Sequence, residues 1–362
     1  MKKNFVKKLM AVGMSAVMMF ALAACGETTE DGTVTETSTS TTEGTDNSNT
    51  SDEGDAVVVD ATGATYNVAI IKQLDHASLD EIANAIAQQL DAISSQNGIT
   101  ITYTIYSGQN DQTTLKQIAD QAINDGVDAI IPIATMAAQV ATVSAEDTET
   151  PVIYAAVSDP EAADLTGISY VTGTSDGLNT KFIMDMMFAL NGDIDKVGLL
   201  YSLSEVNSTT PIAEAKAYLD AKGIAYVEAT ANTNDEVVAA ASSLITSDVD
   251  VVFTPTDNVI MAAEMAISED FADAGILHYT GADSFVRNGA FATCGVNYTA
   301  LGARTADIAY QVITSGMNGV EDYYLMDGGI ITVNTETALA ANADYSVFTT
   351  MGEVVEVITS ED

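Results

Sequence analysis

From residue 64 onward, short apolar runs rich in β-branched residues alternate with segments that carry apolar residues at helical spacing. The strand-like runs are YNVAII, ITITYTIY, VDAIIPI, TPVIYAAV, KVGLLYS, IAYVEAT, VDVVFTP and GILHYTG. After the first run, one helical face collects Leu79, Ile82, Ile86, Leu90 and Ile93. A repeated strand-then-helix order predicts an α/β protein with parallel sheets covered by helices on both faces.

Two pairs of similar segments indicate an internal duplication. DGVDAIIPIATMAAQ (125–139) resembles SDVDVVFTPTDNVIM (247–261), and NVAIIKQLDH (67–76) resembles KVGLLYSLSE (196–205). The offsets of 122 and 129 residues are nearly equal. They predict two lobes of the same topology, because the repeats of a solenoid are only about 20 to 50 residues long.

The first 24 residues have the pattern of an export signal. MKKNFVKKLM carries four lysines and precedes the apolar AVGMSAVMMFALAA, which is shorter than the roughly 20 residues of a membrane-spanning helix. The following Leu22-Ala23-Ala24-Cys25-Gly26 resembles a bacterial lipobox, in which Cys25 carries a lipid and becomes the mature N-terminus. The alternative is an ordinary signal peptide with a chance cysteine. Residues 25–63 are rich in Thr, Ser, Gly and Glu and predict a disordered acidic tether.

The charge of the chain excludes some partners. Without the signal, eight basic and 52 acidic residues remain, a net charge of −44. This balance argues against binding to nucleic acid or to anionic lipid surfaces, and it predicts a soluble monomer. Only Cys294 remains in the body of the chain, so no internal disulfide is possible, and its apolar neighbours predict a buried thiol.

Polar residues follow most of the predicted strands, at the end where open α/β sheets bind ligands. They are Asp75, His76, Thr135, Ser158 and Asp159 in the first half, and Glu205, Asn207, Ser208, Asp257 and Asp283 in the second half. Helix N-termini with hydroxyl side chains favour a carboxylate, and acidic side chains favour an ammonium. A zwitterion needs both. The alternative role of each residue is to cap a helix or to form a turn.

The signatures of enzymes are poor. The sequence has no G-x-S-x-G, no P-loop and no H-E-x-x-H. His76 and His278 are the only histidines, and His278 lies in a strand-like run that favours a structural role. We therefore expect a protein that is not an enzyme and has no cofactor and no metal. A surface-anchored, metal-dependent hydrolase is the less favoured alternative.

Short motifs along residues 64–334 resemble one family in their order and spacing. They are His76-Ala77-Ser78-Leu79-Asp80, Thr135 with Gln139, Ser158-Asp159-Pro160, Thr172-Gly173-Thr174-Ser175-Asp176, Glu205-Val206-Asn207-Ser208, Pro255-Thr256-Asp257-Asn258, and Tyr298 with Leu301-Gly302. The pattern is similar to that of the substrate-binding lipoproteins of ABC transporters, the family that includes tryptophan/tyrosine-binding proteins. Ala77 departs from the family pattern, which has Pro at this position.

The resemblance implies a type I periplasmic-binding-protein fold, with two doubly wound parallel-sheet lobes joined by a hinge. It implies a first lobe of residues 64–172 plus about 297–325, and a second lobe of 173–296 plus about 326–362. It also implies an ABC permease and its ATPase as partners. With the lipid on Cys25, the protein is expected at the extracellular face of the cytoplasmic membrane.

The resemblance further implies a ligand in the cleft between the lobes. The implied lining is Asp75, His76, Thr135, Ser158, Asp159, Glu205, Asn207, Ser208, Asp257, Asp283 and Tyr298. On physical grounds, Asp257 and Asp159 are assigned to the ammonium of a zwitterion, and Thr135, Ser158 and Ser208 to its carboxylate. Tyr154, Phe285 and Tyr298 are candidates to pack on its side chain.

The predicted function is capture of a small zwitterion, an amino acid with a possible preference for aromatic side chains, by closure of the two lobes. A sugar or nucleoside binder of the same fold is the first alternative. A sensor subunit that hands its ligand to a receptor instead of a permease is another.

Overall fold

The computed structural model describes residues 63–360. The predicted signal peptide, the lipid site at Cys25 and the tether up to residue 62 lie outside the described residues. The strands are β1 (Thr65–Lys72), β2 (Thr100–Ser107), β3 (Ala129–Ile133), β4 (Val152–Tyr154), β5 (Val171–Ser175), β6 (Lys196–Tyr201), β7 (Ala225–Thr230), β8 (Val251–Thr254), β9 (Leu277–Thr280), β10 (Ala292–Gly295), β11 (Tyr324–Leu325), β12 (Ile330–Asn334) and β13 (Val354–Val357).

Helices connect most of these strands. They are α1 (Ala77–Asn97), α2 (Gln112–Asn124), α3 (Thr135–Ala145), α4 (Thr180–Leu190), α5 (Thr209–Lys222), α6 (Asn234–Thr246), α7 (Asn258–Met261), α8 (Glu264–Asp273), α9 (Asp283–Arg287), α10 (Tyr298–Ser315) and α11 (Thr335–Ala340). Two 3-10 turns, Val206–Ser208 and Tyr345–Thr350, complete the described secondary structure.

The strands form two sheets, each the centre of what is here called a lobe. The sheet of the first lobe has the order β11-β5-β4-β3-β1-β2 and is parallel throughout. The sheet of the second lobe has the order β13-β12-β10-β9-β8-β6-β7 and is parallel except where β10 pairs with β12. This arrangement confirms the predicted α/β class with two mostly parallel sheets.

The chain passes between the two sheets three times. It leaves the first sheet after β5, returns through α10 and β11, and enters the second sheet again at β12. The boundary predicted at residue 172 falls inside β5, which continues to Ser175. The strand was hard to see in the sequence because VTGTS contains a glycine and only one apolar residue.

The predicted apolar face of α1 is buried against β-strands and against α10. All five of its positions, Leu79, Ile82, Ile86, Leu90 and Ile93, are buried. The helix ends at Gly98, whose φ of 64° suits a glycine. At Gly302 of α10 the helices approach so closely that a Cβ atom would lie 2.7 Å from the carbonyl oxygen of Ile82. This packing fixes the starts of both helices beside the strand ends.

The two histidines and the remaining cysteine have separate environments. Cys294 is buried, as its sequence context predicted, and burial raises the pKa of its thiol to about 11. His278 is buried in the second lobe, 3.0 Å from Glu264 through Nδ1 and 2.8 Å from the Thr254 hydroxyl through Nε2. His76 lies instead where the two lobes meet.

Candidate functional site

A narrow cavity lies between the lobes, at the carboxyl ends of strands from both sheets. Its lining is His76, Ser78, Leu79, Ile82, Ala134, Thr135, Ala156, Ser158, Asp176, Asn207, Thr256, Asp257, Asn258, Met261, Ala282, Phe285 and Tyr298. The cavity volume is about 20 Å³, which is close to the space that a single water molecule requires. The described lobes are therefore closed on each other.

The backbone is unusual at two neighbouring strand ends in this cavity. Ala134, which follows β3, has a φ of 76°, and Ala156, just beyond β4, has a φ of 54°. For a residue with a Cβ atom, this left-handed region costs about 1 to 2 kcal/mol, and such strain is concentrated at functional sites. Ala134 also precedes α3 without a side-chain cap, and in the first turn of that helix the Met136 amide donates to Gln73 Oε1 at 3.1 Å.

Asp176 places a buried carboxylate in the cavity. Its Oδ1 accepts a hydrogen bond from the Ser158 hydroxyl at 2.9 Å, and its Oδ2 accepts one from the Tyr298 hydroxyl at 3.0 Å. Burial raises the pKa of Asp176 above its ordinary value. The lining contains no Lys or Arg. This carboxylate thus keeps acceptor capacity and has no cation beside it in the lining.

Asp257 is also buried in the lining, but its oxygens serve the protein's own backbone. Oδ2 accepts from the Ser202 amide at 2.7 Å and from the Ser208 hydroxyl at 2.6 Å. Oδ1 accepts from the Val259 and Ile260 amides, both at 3.1 Å, as the N-cap of α7. Asp257 therefore holds a strand end, a turn and a helix start together.

Hydrogen bonds join the lobes around the cavity. Gln73 donates to Glu205 at 2.7 Å, and the Thr210 hydroxyl donates to Asp159 at 2.7 Å. The remaining three pairs are His76 with Asn258 at 3.1 Å, Ser158 with Thr256 at 2.9 Å, and Ser78 with Ser284. Each bond joins a residue of the first lobe to one of the second, so all five depend on closure.

Glu205 is a buried acid at this lobe contact. Burial, reinforced by the nearby carboxylate of Asp257, raises the pKa of Glu205 to about 7. Its Oε1 accepts from Gln73 Nε2, and its Oε2 accepts from Asn258 Nδ2 at 2.7 Å. Both partners are neutral amides, and hydrogen bonds from them oppose the rise of the pKa.

Two buried atoms in the cavity lining have no hydrogen-bond partner within the described part of the chain, and both act as acceptors. One is Asn207 Oδ1 and the other is His76 Nδ1. Burial lowers the pKa of His76, which favours the neutral ring. Asn258 donates to Glu205 through Nδ2, so its Oδ1 is the atom that faces His76 Nε2. Nε2 therefore carries the proton and donates to Oδ1, which leaves Nδ1 as an acceptor.

The predicted site residues divide into those inside and those outside the cavity. His76, Thr135, Ser158, Asn207, Asp257 and Tyr298 line it. Glu205 lies at its edge, and Ser208 lies behind Asp257. The predicted side-chain contact Phe285 lines the cavity, whereas Tyr154 is buried in the core of the first lobe.

Three predicted acids point elsewhere. Asp75 pairs with Lys72 at 2.6 Å and is 58% exposed. Asp159 accepts from Thr210 and from the Ala162 amide at 2.9 Å, closing a turn. Asp283 pairs with Arg287 at 3.2 Å, one helical turn further along α9. These contacts occupy the three carboxylates at the rim or outside the cavity.

The sequence-based list omitted several residues that the cavity contains, above all Asp176. Asp176 directly follows β5, so the strand-end rule that selected the other acids applies to it as well. It was omitted because β5 was not recognised as a strand, although Asp176 ends the family motif Thr172-Gly173-Thr174-Ser175-Asp176. Asn258 follows Asp257 in a quoted motif, and Leu79 and Ile82 were assigned to the core of α1, so their sequence signals pointed to other roles.

Neither a metal centre nor a membrane span is found in residues 63–360. No three or more His, Cys, Asp or Glu side chains are grouped there to hold a metal ion. No helix of that part combines the length and apolar character needed to cross a bilayer.

The comparison with known families identifies the family of the chain. The family described as ABC transporter substrate binding protein matches residues 67–342. The chain belongs to this family. This chain is 30% identical over 279 residues to the tyrosine-binding protein of Clostridioides difficile strain R20291, a match that covers 76% of this chain and 80% of the relative. The family consists of binding proteins and not of enzymes.

Solved structures show the same relationship. The ABC domain in complex with L-Trp from Streptococcus pneumonia is 25% identical, with a TM-score of 0.73 and coverage of 81% of this chain and 100% of that one. The ligand-free, open structure of a substrate binding protein with adhesive properties from Clostridium difficile is 27% identical, with a TM-score of 0.60 and coverage of 82% and 100%. The predicted resemblance and the type I periplasmic-binding-protein fold are thus confirmed.

Proposed function

We propose that this substrate-binding protein captures a free amino acid with an aromatic side chain for an ABC importer. The observation that carries the proposal is the buried Asp176 carboxylate, which faces a closed cavity whose lining contains no Lys or Arg. A relative that binds tyrosine and a structural neighbour that contains L-Trp support the aromatic side chain.

The ligand's amino group is assigned to Asp176. An ammonium donates three hydrogen bonds, and the cavity offers the Asp176 carboxylate together with the unpartnered acceptors His76 Nδ1 and Asn207 Oδ1. Asp176 replaces Asp257 and Asp159 in this role, because Asp257 already accepts four internal hydrogen bonds and Asp159 lies outside the cavity. A charge-assisted hydrogen bond to a buried carboxylate is among the strongest that a protein makes.

The rest of the ligand follows from the remaining walls. Its carboxylate is assigned to the start of α3 around Thr135, where the helix dipole and the backbone amides other than that of Met136, which donates to Gln73, favour an anion. Its side chain is assigned to the apolar wall formed by Leu79, Ile82, Met261 and Phe285. The cavity of about 20 Å³ must widen to admit an aromatic ring, which then buries a large apolar surface and packs on the ring of Phe285.

Ligand capture is proposed to close the lobes. The chain is more similar in shape to the L-Trp complex than to the open structure, although it is slightly less identical to the L-Trp complex in sequence. In the proposed cycle, the open form admits the ligand, and closure forms the five hydrogen bonds between the lobes. The ligand shifts this equilibrium only by its preference for the closed state.

The proposed place of action is the extracellular face of the cytoplasmic membrane. The lipobox-like sequence at Cys25 supports a lipid anchor, and residues 26–62 supply the tether. The proposed partners are a permease and its ATPase, which accept the ligand from the closed form.

The test is a thermal-shift screen of residues 61–362 with the twenty amino acids, common sugars, nucleosides and divalent metals. A ligand at 100 times its dissociation constant stabilises the folded state by about 2.7 kcal/mol. We expect shifts with L-tyrosine or L-tryptophan. Asp176→Asn is expected to abolish them, and the control Asp75→Asn, an acid outside the cavity, to preserve them. Shifts with sugars or nucleosides alone contradict the proposal, and so do shifts that Asp176→Asn leaves intact.

A further inference from the structure

A second and larger cavity adjoins the first where the lobes meet, and it is here called the vestibule. It is lined by Asn110, Gln112, Thr135, Met136, Gln139, Ser204, Glu205, Val206 and Asn207. Its volume is about 320 Å³, within the range of roughly 300 to 1,000 Å³ that is usual for small-molecule sites. Thr135 and Asn207 line both cavities, so the two spaces lie on either side of these two residues.

The vestibule has an acidic wall without a basic counterpart. Glu205 is 3% exposed, and its two oxygens accept hydrogen bonds from the neutral amides of Gln73 and Asn258. No Lys or Arg is among the lining residues. An acidic extension of a ligand would therefore be repelled here, whereas a basic one would supply the missing charge.

Asn207, at the junction with the first cavity, carries an acceptor that a ligand can reach from either side. Asn207 is 4% exposed, and its Nδ2 donates to the carbonyl oxygen of Thr256 at 2.6 Å. Its Oδ1 has no partner in the described part of the chain. A buried acceptor without a partner is costly, so a ligand N–H that reaches Oδ1 from either cavity removes that cost.

We propose that the vestibule is a second subsite, which takes a basic extension at the carboxyl end of the bound amino acid. The protein then binds short peptides whose second residue is basic, in addition to free amino acids. This inference rests on the proposed function, because the amino group at Asp176 and the carboxyl group near Thr135 direct the extension through the junction.

The experiment compares three ligands by titration calorimetry at pH 7.5: L-tyrosine, tyrosyl-arginine and tyrosyl-glutamate, together with the same series built on L-tryptophan. We expect the arginine dipeptide to bind at least as tightly as the free amino acid and at least tenfold more tightly than the glutamate dipeptide. Glu205→Gln is expected to reduce the ratio between the two dipeptides, because it removes the carboxylate that distinguishes them.

Two variants on α2 test the location. Gln112→Trp places a large side chain at the vestibule wall and is expected to lower the affinity for the arginine dipeptide at least tenfold relative to the free amino acid. Gln117→Trp is the matched control. Gln117 lies on the same helix but lines a different pocket, between α2 and α3, and not the vestibule, so this change should leave the ratio unaltered.

The outcomes separate the two proposals. If the free amino acids bind and neither dipeptide does, the vestibule is not a subsite and the proposed function stands. If the two dipeptides bind equally and Gln112→Trp has no effect, the inference is also overturned. If neither L-tyrosine nor L-tryptophan binds, the proposed function fails and the inference fails with it.

Discussion

Asp176 and Asp257 are both buried acids at strand ends in the same cavity, yet their carboxylate oxygens accept hydrogen bonds from different kinds of donor. Asp257 Oδ1 accepts hydrogen bonds from two backbone amides, and Oδ2 accepts one from a backbone amide and one from a hydroxyl. Asp176 accepts two side-chain hydroxyls, one on each oxygen. The donors already present, and not the position or burial of the acid, distinguish a residue that holds the fold from one that is free to hold a ligand.

The largest expected effect is the loss of stability in Asp257→Ala. The change leaves three backbone amides and one hydroxyl without their acceptor in a buried site, and removes the N-cap of α7. Such losses add up to about 4 kcal/mol. Equilibrium unfolding in urea measures the free energy. A loss of unfolding free energy below about 1 kcal/mol would contradict the contrast drawn between Asp257 and Asp176, because Asp257 would then not stabilise the fold.

Glu205 gives the next largest effect, seen as a dependence on pH. Its pKa is raised from its ordinary value to about 7 by burial, so the folded protein retains a proton that the unfolded chain releases. The stabilisation is complete below about pH 4.5 and is lost as the pH rises through 7, by up to roughly 3 kcal/mol.

Unfolding free energies between pH 4.5 and 8 test this prediction. Glu205→Gln should show a flatter profile than the parent protein, because the amide does not titrate. Parallel profiles for the two proteins would mean that Glu205 is not the titrating group.

Asp176→Asn is expected to increase the unfolding free energy, the opposite of the effect expected for Asp257→Ala. Burial raises the pKa of Asp176, so burying its charge opposes folding near neutral pH, and the neutral amide should raise the unfolding free energy by about 1 kcal/mol. The gain should vanish at low pH, where the carboxyl group is protonated in the folded and the unfolded states. A loss of stability at pH 7 would place Asp176 with Asp257 as a structural acid.

The smallest expected effect is that of Asp75→Asn. The Lys72 ammonium lowers the pKa of Asp75, but the carboxylate is 58% exposed, and exposed ion pairs contribute about 0 to 1 kcal/mol. Unfolding free energies at low and high salt should differ from those of the parent by less than about 0.5 kcal/mol. A larger change would show that the strand-end acids outside the cavity also support the fold.

The fold was predictable because its signals are local and repeated. The helical face of α1 and the alternation of strands and helices followed from apolar spacing alone, and the strand-end rule gathered His76, Thr135, Ser158 and Asn207 beside the cavity. The family resemblance contributed Tyr298, which no pattern marked.

The orientation of each acid was not predictable in the same way. Asp159 and Asp283 follow strands as Asp176 does, but Thr210 and Arg287 engage them away from the cavity. Arg287 lies four residues from Asp283 on the same helix, a spacing that the sequence shows, whereas Thr210 lies on the other lobe and only the closed arrangement of the lobes brings it to Asp159. Sequence spacing contains no information on the contact between Thr210 and Asp159.

The hydrogen bond from Thr210 to Asp159 offers a way to adjust the ratio of closed to open molecules. Both residues lie outside the cavity, and the bond joins the lobes only on closure, so its loss would weaken the closed state without touching the ligand contacts. A net hydrogen bond of about 1 kcal/mol changes the ratio of closed to open molecules about fivefold. In a fluorescent biosensor built on this scaffold, removing the Thr210 hydroxyl would therefore reduce closure without ligand, which lowers the background signal, and would also lower the apparent affinity for the ligand.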